Sequence, residues 1–285
     1  MRVLIDMCHP AHVHFFKNFI RAFKEKGNEV FIVARDKDVS YKLLDRYDLS
    51  YINISRHYDS IIAKYYSGVL NIFKFIIICK KNRIDFVIDS GASVYSNIAS
   101  LILRIPNISF NNTEVFSLLK IVKLFSSYII TPSNYLKDFG KKHIRINSYF
   151  ELAFLHRNVF KSDQSIYQKL GLKKNEKYIL LRFVNWYAAE EKNQLGVTIN
   201  DIQDIVSNFS KNFRVFISCE FDLPDELELL QIEKNHNIRI GDMQNIEANA
   251  TLFFGTNKTP FLNTILPRRT CPFISSVKGV FWFSA

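Results

Sequence analysis

The hydrophobic and polar positions of the chain alternate between short apolar runs of strand length and longer segments with apolar residues at helical spacing. The first run predicts a strand at Arg2–Met7. The next segment predicts a helix at Pro10–Lys26, because proline favours the first helical turn and Gly27 stops the pattern. The same alternation predicts strands at Glu29–Ala34, Ser50–Ile54, Phe86–Asp89, Asn107–Phe110 and Ser127–Thr131, and helices at Asp38–Tyr47, Ser60–Lys81, Gly91–Leu103 and Glu114–Phe125. Such alternation through short connections indicates a parallel sheet covered on both faces.

The alternation stops at Arg145–Asp163, which reads as a linker, and starts again in the second half of the chain. The later pattern predicts strands at Tyr178–Phe183, Phe213–Ser218, Asn237–Ile240, Ala250–Gly255 and Phe273–Ser276, and helices at Val197–Phe209 and Asp225–Leu230. We therefore predict an α/β protein of two Rossmann-like domains that face each other across a cleft, at residues 1–150 and 165–285.

The composition is that of a globular protein, since 48% of the 285 residues are hydrophobic, and the length allows two domains. A formal net charge of +11 favours an anionic partner, such as a nucleotide phosphate, an anionic membrane surface or nucleic acid. A solvated basic surface explains the scattered lysines equally well.

The four cysteines form no C-x-x-C pair, which argues against a zinc site or a disulfide framework and fits a reducing cytosol. The first residues pass directly into a strand, so no signal peptide is expected. The most apolar stretch, Val69–Cys79, contains Asn71 and Lys74 and is too short to span a bilayer. We therefore predict a cytoplasmic protein. This location is compatible with peripheral contact with the inner face of a membrane.

The turn after the first predicted strand holds the most informative polar residues. In a parallel sheet, ligands bind at the carboxyl ends of the strands. In this sequence, the end of the first predicted strand and the residues after it include Asp6, His9, His12 and His14. Histidine is suited to proton transfer near neutral pH, so these residues are candidate catalytic groups for an alcohol or sugar hydroxyl. The alternative is that individual histidines cap or pack under the helix. No metal site is expected, because the turn has no convincing carboxylate or cysteine ligand set.

Two further turns of the first half carry candidate substrate-binding residues. Ser90 and Gly91 follow the fourth strand, where small residues let a ligand approach helix N-terminal amides or let the helix pack closely on the sheet. Asn112, Thr113 and Glu114 follow the fifth strand and could hold sugar hydroxyls, although Thr113 could also cap a helix.

In the second half, two turns suggest phosphate binding. Arg182 and Asn185 accompany the first strand of this half. The strand that ends at Gly255 is followed by a glycine, hydroxyl and lysine cluster formed by Gly255, Thr256, Lys258 and Thr259. The cluster lacks Walker spacing, and no G-x-G-x-x-G follows the first strand, so a nicotinamide or flavin dehydrogenase is disfavoured.

Several of these stretches together resemble a large family of prokaryotic glycosyltransferase-like proteins catalogued as a domain of unknown function. The resemblance rests on Asp6 with the run His9–Asn18 (HPAHVHFFKN), and it extends over roughly residues 1 to 255. Its other segments are Ala34–Val39, Asp89–Ala92, Asn112–Glu114, Thr131–Asn134, Gly140–Arg145, Glu151–His156 and Tyr178–Trp186. That family is similar to the two-Rossmann-domain (GT-B) glycosyltransferases and to the non-hydrolysing UDP-N-acetylglucosamine 2-epimerases.

The resemblance implies that a nucleotide-sugar, UDP-linked by analogy, is the substrate and that no metal or other cofactor is needed. The acceptor, a glycan or a lipid-linked sugar, would lie on the first domain, where Glu151 joins the substrate-binding candidates. The nucleotide would lie mainly on the second domain. The resemblance also implies a role in cell-surface polysaccharide biosynthesis, with an anionic membrane as a peripheral contact and no nucleic acid partner.

The end of the chain departs from the family pattern. The family places a helix with a ribose-binding glutamate after the late glycine turn, whereas this sequence has no carboxylate after Glu247 and carries Pro260 and Pro267 there. A truncated second domain is therefore expected. Three functions stay open: a glycosyltransferase, a UDP-sugar epimerase that uses Asp6, Glu114 or Glu151 for proton transfer, and a non-catalytic relative.

Overall fold

The structure is a computed structural model, which describes residues 1–36, 39–55, 61–90, 93–112, 122–183, 198–219, 221–239, 241–255, 273–274 and 280–281. The chain divides into two compact units, Met1–Phe154 and Leu155–Ala285. The described part of each unit is built around its own parallel sheet, and the predicted α/β class is confirmed.

The first unit contains a seven-stranded sheet in the order β3-β2-β1-β4-β5-β6-β7, and all neighbouring strands are parallel. Its strands are β1 (Arg2–Met7), β2 (Glu29–Arg35), β3 (Ile52–Ser55), β4 (Phe86–Asp89), β5 (Asn107–Phe110), β6 (Tyr128–Pro132) and β7 (His143–Ile146). The inner strand β1 is almost wholly buried, as expected for a strand covered on both faces.

Helices cover both faces of this sheet. They are α1 (Pro10–Glu25), α2 (Ser40–Arg46), α3 (Ile61–Lys81), α4 (Val94–Leu103) and the short α5 (Leu152–Leu155). Helix α1 begins where predicted, because His9 caps it and Pro10 takes the first position, and it buries Val13, Phe16 and Ile20. Helices α3 and α4 share one face, where Phe75 and Ala99 join a core with sheet residues such as Leu4.

Strand β7 was not predicted, and its last two residues fall within the predicted linker Arg145–Asp163. It pairs only with β6 at the edge of the sheet, and its sequence His-Ile-Arg-Ile has half-buried ends and exposed central residues. An edge strand of mixed polarity gives a weak sequence signal. Most of the helix predicted at Glu114–Phe125 lies outside the described residues, although residues 122–125 are helical.

The described part of the second unit contains a three-stranded parallel sheet in the order β10-β8-β9, formed by β8 (Tyr178–Phe183), β9 (Arg214–Cys219) and β10 (Leu252–Gly255). Its helices are α6 (Ile166–Lys169), α7 (Ile199–Ser210), α8 (Asp225–Glu228) and α9 (Met243–Asn249). Strands β11 (Phe273–Ile274) and β12 (Val280–Phe281) form an antiparallel pair. Single turns of 3-10 helix lie at Gly140–Lys142 in the first unit and Ile232–Lys234 in the second.

In the second unit, the predicted strand at Asn237–Ile240 was wrong and one helix was missed. Residues 237–239 form a turn and irregular backbone instead of a strand, and Gly241 follows with a φ of 91°. The helix Met243–Asn249 was missed because buried polar residues such as Gln244 and Glu247 hide its apolar periodicity. Across the described residues, no helix is both long enough and apolar enough to cross a membrane.

Candidate active site

The histidine turn joins the carboxyl end of β1 to the first turn of α1. His9 is exposed, and its Nδ1 accepts a hydrogen bond from the backbone N–H of Ala11 at 3.2 Å. His12 is half-buried, and its Nδ1 lies 3.4 Å from the backbone nitrogen of Cys8 and 3.7 Å from the Cys8 Sγ. The His9 and His12 rings are 6.0 Å apart. The structure therefore brings these two predicted residues together at the carboxyl edge of the sheet.

The hydrogen bonds of the two imidazoles differ in how firmly they set the position of the ring proton. Because Nδ1 of His9 accepts a hydrogen bond, its neutral ring carries the proton on Nε2 and can donate outward. Nδ1 of His12 accepts a longer hydrogen bond, from the backbone N–H of Cys8 at 3.4 Å, and also faces the Cys8 sulfur, so this weaker contact constrains its tautomer less. Of the two, His12 is the better candidate for a general base.

His14 is separated from the other two histidines. Residues two apart on a helix point in different directions, so His14 faces another flank than His12. Its ring packs 5.8 Å from Tyr47 and 5.7 Å from Phe154, and its Nδ1 lies 3.4 Å from the Tyr47 hydroxyl. Burial, and then the charge of Lys17, lowers the pKa of His14 to about 4. The contacts of His14 are those of a neutral packing residue.

Asp6 closes β1 with a fully buried carboxylate. The Asp6 Oδ2 accepts hydrogen bonds from the Ser93 hydroxyl and, at 3.3 Å, from Nη2 of Arg35, which also donates to the Ser93 Oγ at 3.0 Å. Burial lowers the pKa of Arg35, but the charges of Asp6, Cys8 and Tyr95 and the hydrogen bond to Asp6 together outweigh it and raise the pKa. Among the described residues, Oδ1 of Asp6 and Nε of Arg35 have no hydrogen-bond partner. The pair therefore keeps one acceptor and one donor for a ligand or a water.

The polar row continues across the sheet beneath α4. Asp6 is the register partner of Asp89 on β4, and Asp89 is the partner of Ser109 on β5. Both of these residues are buried, and the Ser109 hydroxyl donates to Oδ2 of Asp89 at 2.6 Å and lies 2.9 Å from the Ser126 hydroxyl. Ser90, the predicted binding residue that follows Asp89, is half-buried at this edge.

An aromatic cluster brings the chain around Glu151 to the same edge. Phe150 stacks on Phe15 of α1 at 5.0 Å and meets Phe110, the last residue of β5, at 5.7 Å. Glu151 follows Phe150 and is half-buried, while Asn112 is exposed two residues beyond β5. Seven further predicted binding positions lie outside the described residues: Gly91, Thr113, Glu114, Asn185, Thr256, Lys258 and Thr259.

In the second unit, Arg182 and Gly255 lie side by side. Arg182 of β8 is the register partner of Gly255 on β10 and of Ser218 on β9, all at the carboxyl ends of their strands. The Arg182 Nη1 donates to the Ser218 Oγ at 3.0 Å, and the Ser218 hydroxyl donates to Oε1 of Glu233 at 2.6 Å. This edge carries a cation next to the strand end where the sequence predicted a phosphate cradle.

Sequence reasoning missed most of the supporting residues, namely Cys8, Arg35, Ser93, Ser109, Ser218 and Glu233. Their positions just after strands were a usable signal for Cys8 and Arg35. The others depend on long-range contacts that a sequence does not display. Among the described residues, no cluster of three or more histidine, cysteine, aspartate or glutamate side chains could hold a metal ion.

Two parallel α/β units with polar strand ends define the class of two-Rossmann-unit (GT-B-like) proteins, and solved structures share this fold. UDP-GlcNAc 2-epimerase from Neisseria meningitidis, bound to UDP-GlcNAc, matches with a TM-score of 0.67 and 12% identity over 98% of this chain and 84% of that one. UDP-GlcNAc 2-epimerase from Methanocaldococcus jannaschii matches with a TM-score of 0.67 and 12% identity over 96% of this chain and 83% of that one. MurG from Acinetobacter baumannii matches with a TM-score of 0.58 and 12% identity over 98% of this chain and 80% of that one.

The chain belongs to the family described as "Protein of unknown function (DUF354)", which matches residues 1–215. That match covers the first unit and, of the residues described at the second edge, only Arg182. No curated protein matches the sequence.

Proposed function

We propose that the protein is a metal-independent glycosyltransferase that uses a nucleotide-sugar, UDP-linked, with no other cofactor. The observation that carries the proposal is the pairing of His9 and His12 at the carboxyl edge of β1, with rings 6.0 Å apart. The shared fold with nucleotide-sugar enzymes supports the substrate class. The acceptor would be a glycan or a lipid-linked sugar in cell-surface polysaccharide biosynthesis, and no nucleic acid would take part.

In the proposed reaction, the imidazole of His12 accepts the proton of an acceptor hydroxyl. The acceptor oxygen then forms a bond to the anomeric carbon of the donor sugar, while the bond from that carbon to the diphosphate oxygen breaks. His9 donates a hydrogen bond from Nε2 to the acceptor. The nucleoside diphosphate leaves with the electron pair, so the site must neutralise a growing negative charge.

Arg182 suits that neutralising role because it is half-buried and ends a strand next to Gly255. The predicted residues Thr256, Lys258 and Thr259 would add hydroxyls and a cation after this strand end. Asp6 has a different role in the proposal. A fully buried carboxylate bonded to Arg35 and Ser93 is a positioning residue, which fixes the start of α4 through Ser93.

The alternative function is a UDP-sugar 2-epimerase. The two epimerases above have higher TM-scores than MurG, 0.67 against 0.58, and this favours keeping the alternative. Epimerisation requires a group that removes and returns a proton at carbon. Glu151 is half-buried and suits that task better than Asp6, whose Oδ2 is held by two donors. The third hypothesis is that the protein is a non-catalytic relative of these enzymes.

Thermal unfolding with a panel of UDP-, GDP- and CMP-sugars tests the proposal. A ligand at a hundred times its dissociation constant stabilises the fold by about 2.7 kcal/mol, so a UDP-sugar should raise the melting temperature. No shift with any donor would count against both enzyme functions.

His12→Ala should then abolish transfer to acceptor and leave donor binding unchanged. Loss of donor binding in this variant would refute the base role. Exchange of solvent deuterium into the sugar, without an acceptor, would instead identify an epimerase. His14→Ala is the matched control, because its ring lies on another flank of α1.

A further inference from the structure

Helices α3 and α4 both carry exposed apolar side chains on their outward faces. On α3, Val69, Phe73 and Ile77 follow one another at spacings of four residues and are 54%, 59% and 63% exposed. Leu70, 42% exposed, lies on the same arc. The opposite arc holds the buried residue Phe75, so the helix has apolar side chains on both its inner and its outer face.

Helix α4 extends this surface. It packs beside α3, and its Tyr95 ring approaches Gly68 of α3 so closely that a Cβ there would lie 3.0 Å from the ring. Its polar residues, such as Asn97 and Ser100, face inward and are buried. Its outward positions are all apolar: Val94 and Ile98 are half-buried, and Leu101 and Ile102 are 55% and 59% exposed. We call the eight outward residues Val69, Leu70, Phe73, Ile77, Val94, Ile98, Leu101 and Ile102 the α3–α4 face.

The charges around the α3–α4 face have one sign. Residues 67–84 and 94–104 contain no aspartate or glutamate, whereas Lys80, Lys81, Arg83 and Arg104 are exposed at the ends of the two helices. The first carboxylate after α3 is Asp85, whose Oδ2 accepts the backbone N–H of Arg2 at 2.6 Å at the start of β1. An apolar face with a cationic border complements an anionic lipid surface.

We propose that the α3–α4 face docks the protein on an anionic lipid bilayer, with Phe73 and Ile77 in the interface and the lysines at the level of the head groups. A second copy of the chain is a poorer occupant, because a symmetric contact would bring two cationic borders together. The inference rests on the lipid-linked acceptor in the proposed function, and it identifies the surface that would bring the protein to the membrane of that acceptor.

Vesicle flotation tests the inference with the whole chain. Vesicles of phosphatidylglycerol mixed with phosphatidylcholine should bind the protein, and vesicles of phosphatidylcholine alone should bind it far less. The double variant Phe73→Glu/Ile77→Glu should weaken binding by about tenfold or more for each side chain. Lys80→Gln/Lys81→Gln should weaken it by about fivefold per lysine and reduce its dependence on salt.

The matched control is Leu229→Glu, which replaces a residue that is 91% exposed in the second unit and should bind vesicles as the wild type does. Equal binding to both vesicle types, or unchanged binding by Phe73→Glu/Ile77→Glu, would overturn the inference. A dimer that this variant dissociates, seen by light scattering, would overturn it as well and assign the face to a second copy. UDP-sugar binding, measured on the same proteins, should be unaffected, so failure of the proposed function would be recognised separately.

Discussion

The carboxyl edges of the two sheets each combine a carboxylate, a serine hydroxyl and an arginine. The two edges differ in which charged group the inner strand carries. In the first unit the inner strand β1 carries a carboxylate, Asp6, next to its last residue, and Ser93 and Arg35 bond to it. In the second unit the central strand carries a cation, Arg182, and Ser218 links it to Glu233. Asp6 is fully buried, whereas Arg182 is half-buried. The first edge is therefore suited to fixing a helix and a turn, and the second to meeting an anion from solution.

The largest expected difference between the edges is in stability. Asp6→Ala removes one partner of a buried ion pair and leaves the Arg35 guanidinium, only 20% exposed, without its counter-charge. We expect the free energy of unfolding to fall by about 4 kcal/mol, measured by urea denaturation.

The exposed pair Arg2–Glu29 provides the control for this variant. Its atoms are 2.9 Å apart, with side chains 39% and 55% exposed, so Glu29→Gln should cost less than about 1 kcal/mol. A similar loss for both variants would mean that the first edge is no more stabilising than a surface contact, and the comparison would fail.

Acid should act on the first unit through His14. Its folded pKa of about 4 lies below the ordinary value of 6.5, so the unfolded chain binds more protons between these two pH values. Stability should therefore decline as pH falls through that window, by about 3 kcal/mol at its lower end. His14→Gln should flatten the decline, as measured by urea unfolding at a series of pH values. The exposed His9→Gln is the control, and an equal effect of that variant would contradict the assignment to His14.

The sequence predicted the strands that meet at these edges better than the contacts between them. Long buried runs such as Arg2–Met7 leave no alternative to a strand, and the composition of the next turn marked His9 and His12 as chemical groups. The contact of Ser93 with Asp6 spans 87 positions and that with Arg35 spans 58. Both depend on the strand order β2-β1-β4, which hydrophobic spacing does not encode. His14 looked equivalent to His12 in sequence, but helical geometry turns it towards Tyr47 and Phe154.

The second edge should show its effect in ligand binding. Arg182→Ala removes a half-buried cation beside Gly255, and a charge-assisted hydrogen bond is worth about 2 kcal/mol, so UDP-sugar affinity should fall by about thirtyfold in calorimetry. Arg214→Ala, at the exposed start of β9, should bind like the wild type. Asp6→Ala tests the converse. If it reduces donor affinity as strongly as Arg182→Ala does while remaining folded, the division between a fixing edge and a binding edge is wrong.

The smallest effect compares the residues at the starts of α4 and α7. Ser93 precedes α4, but its hydroxyl donates to Asp6 and makes no capping hydrogen bond. Thr198 precedes α7 and forms a capping box with Asp201, whose Oδ2 accepts from the Thr198 backbone N–H at 2.8 Å. Thr198→Ala should cost about 1 kcal/mol in urea unfolding, the usual value of a cap. Hydrogen bonds from Thr198 lower the pKa of Asp201, so the variant should also raise that pKa in a carboxyl NMR titration.

Ser93→Ala should cost more than Thr198→Ala, because it removes a donor from a buried carboxylate instead of an exposed cap. Equal costs would show that Ser93 serves α4 alone, and the bond to Asp6 would then contribute nothing to the first edge.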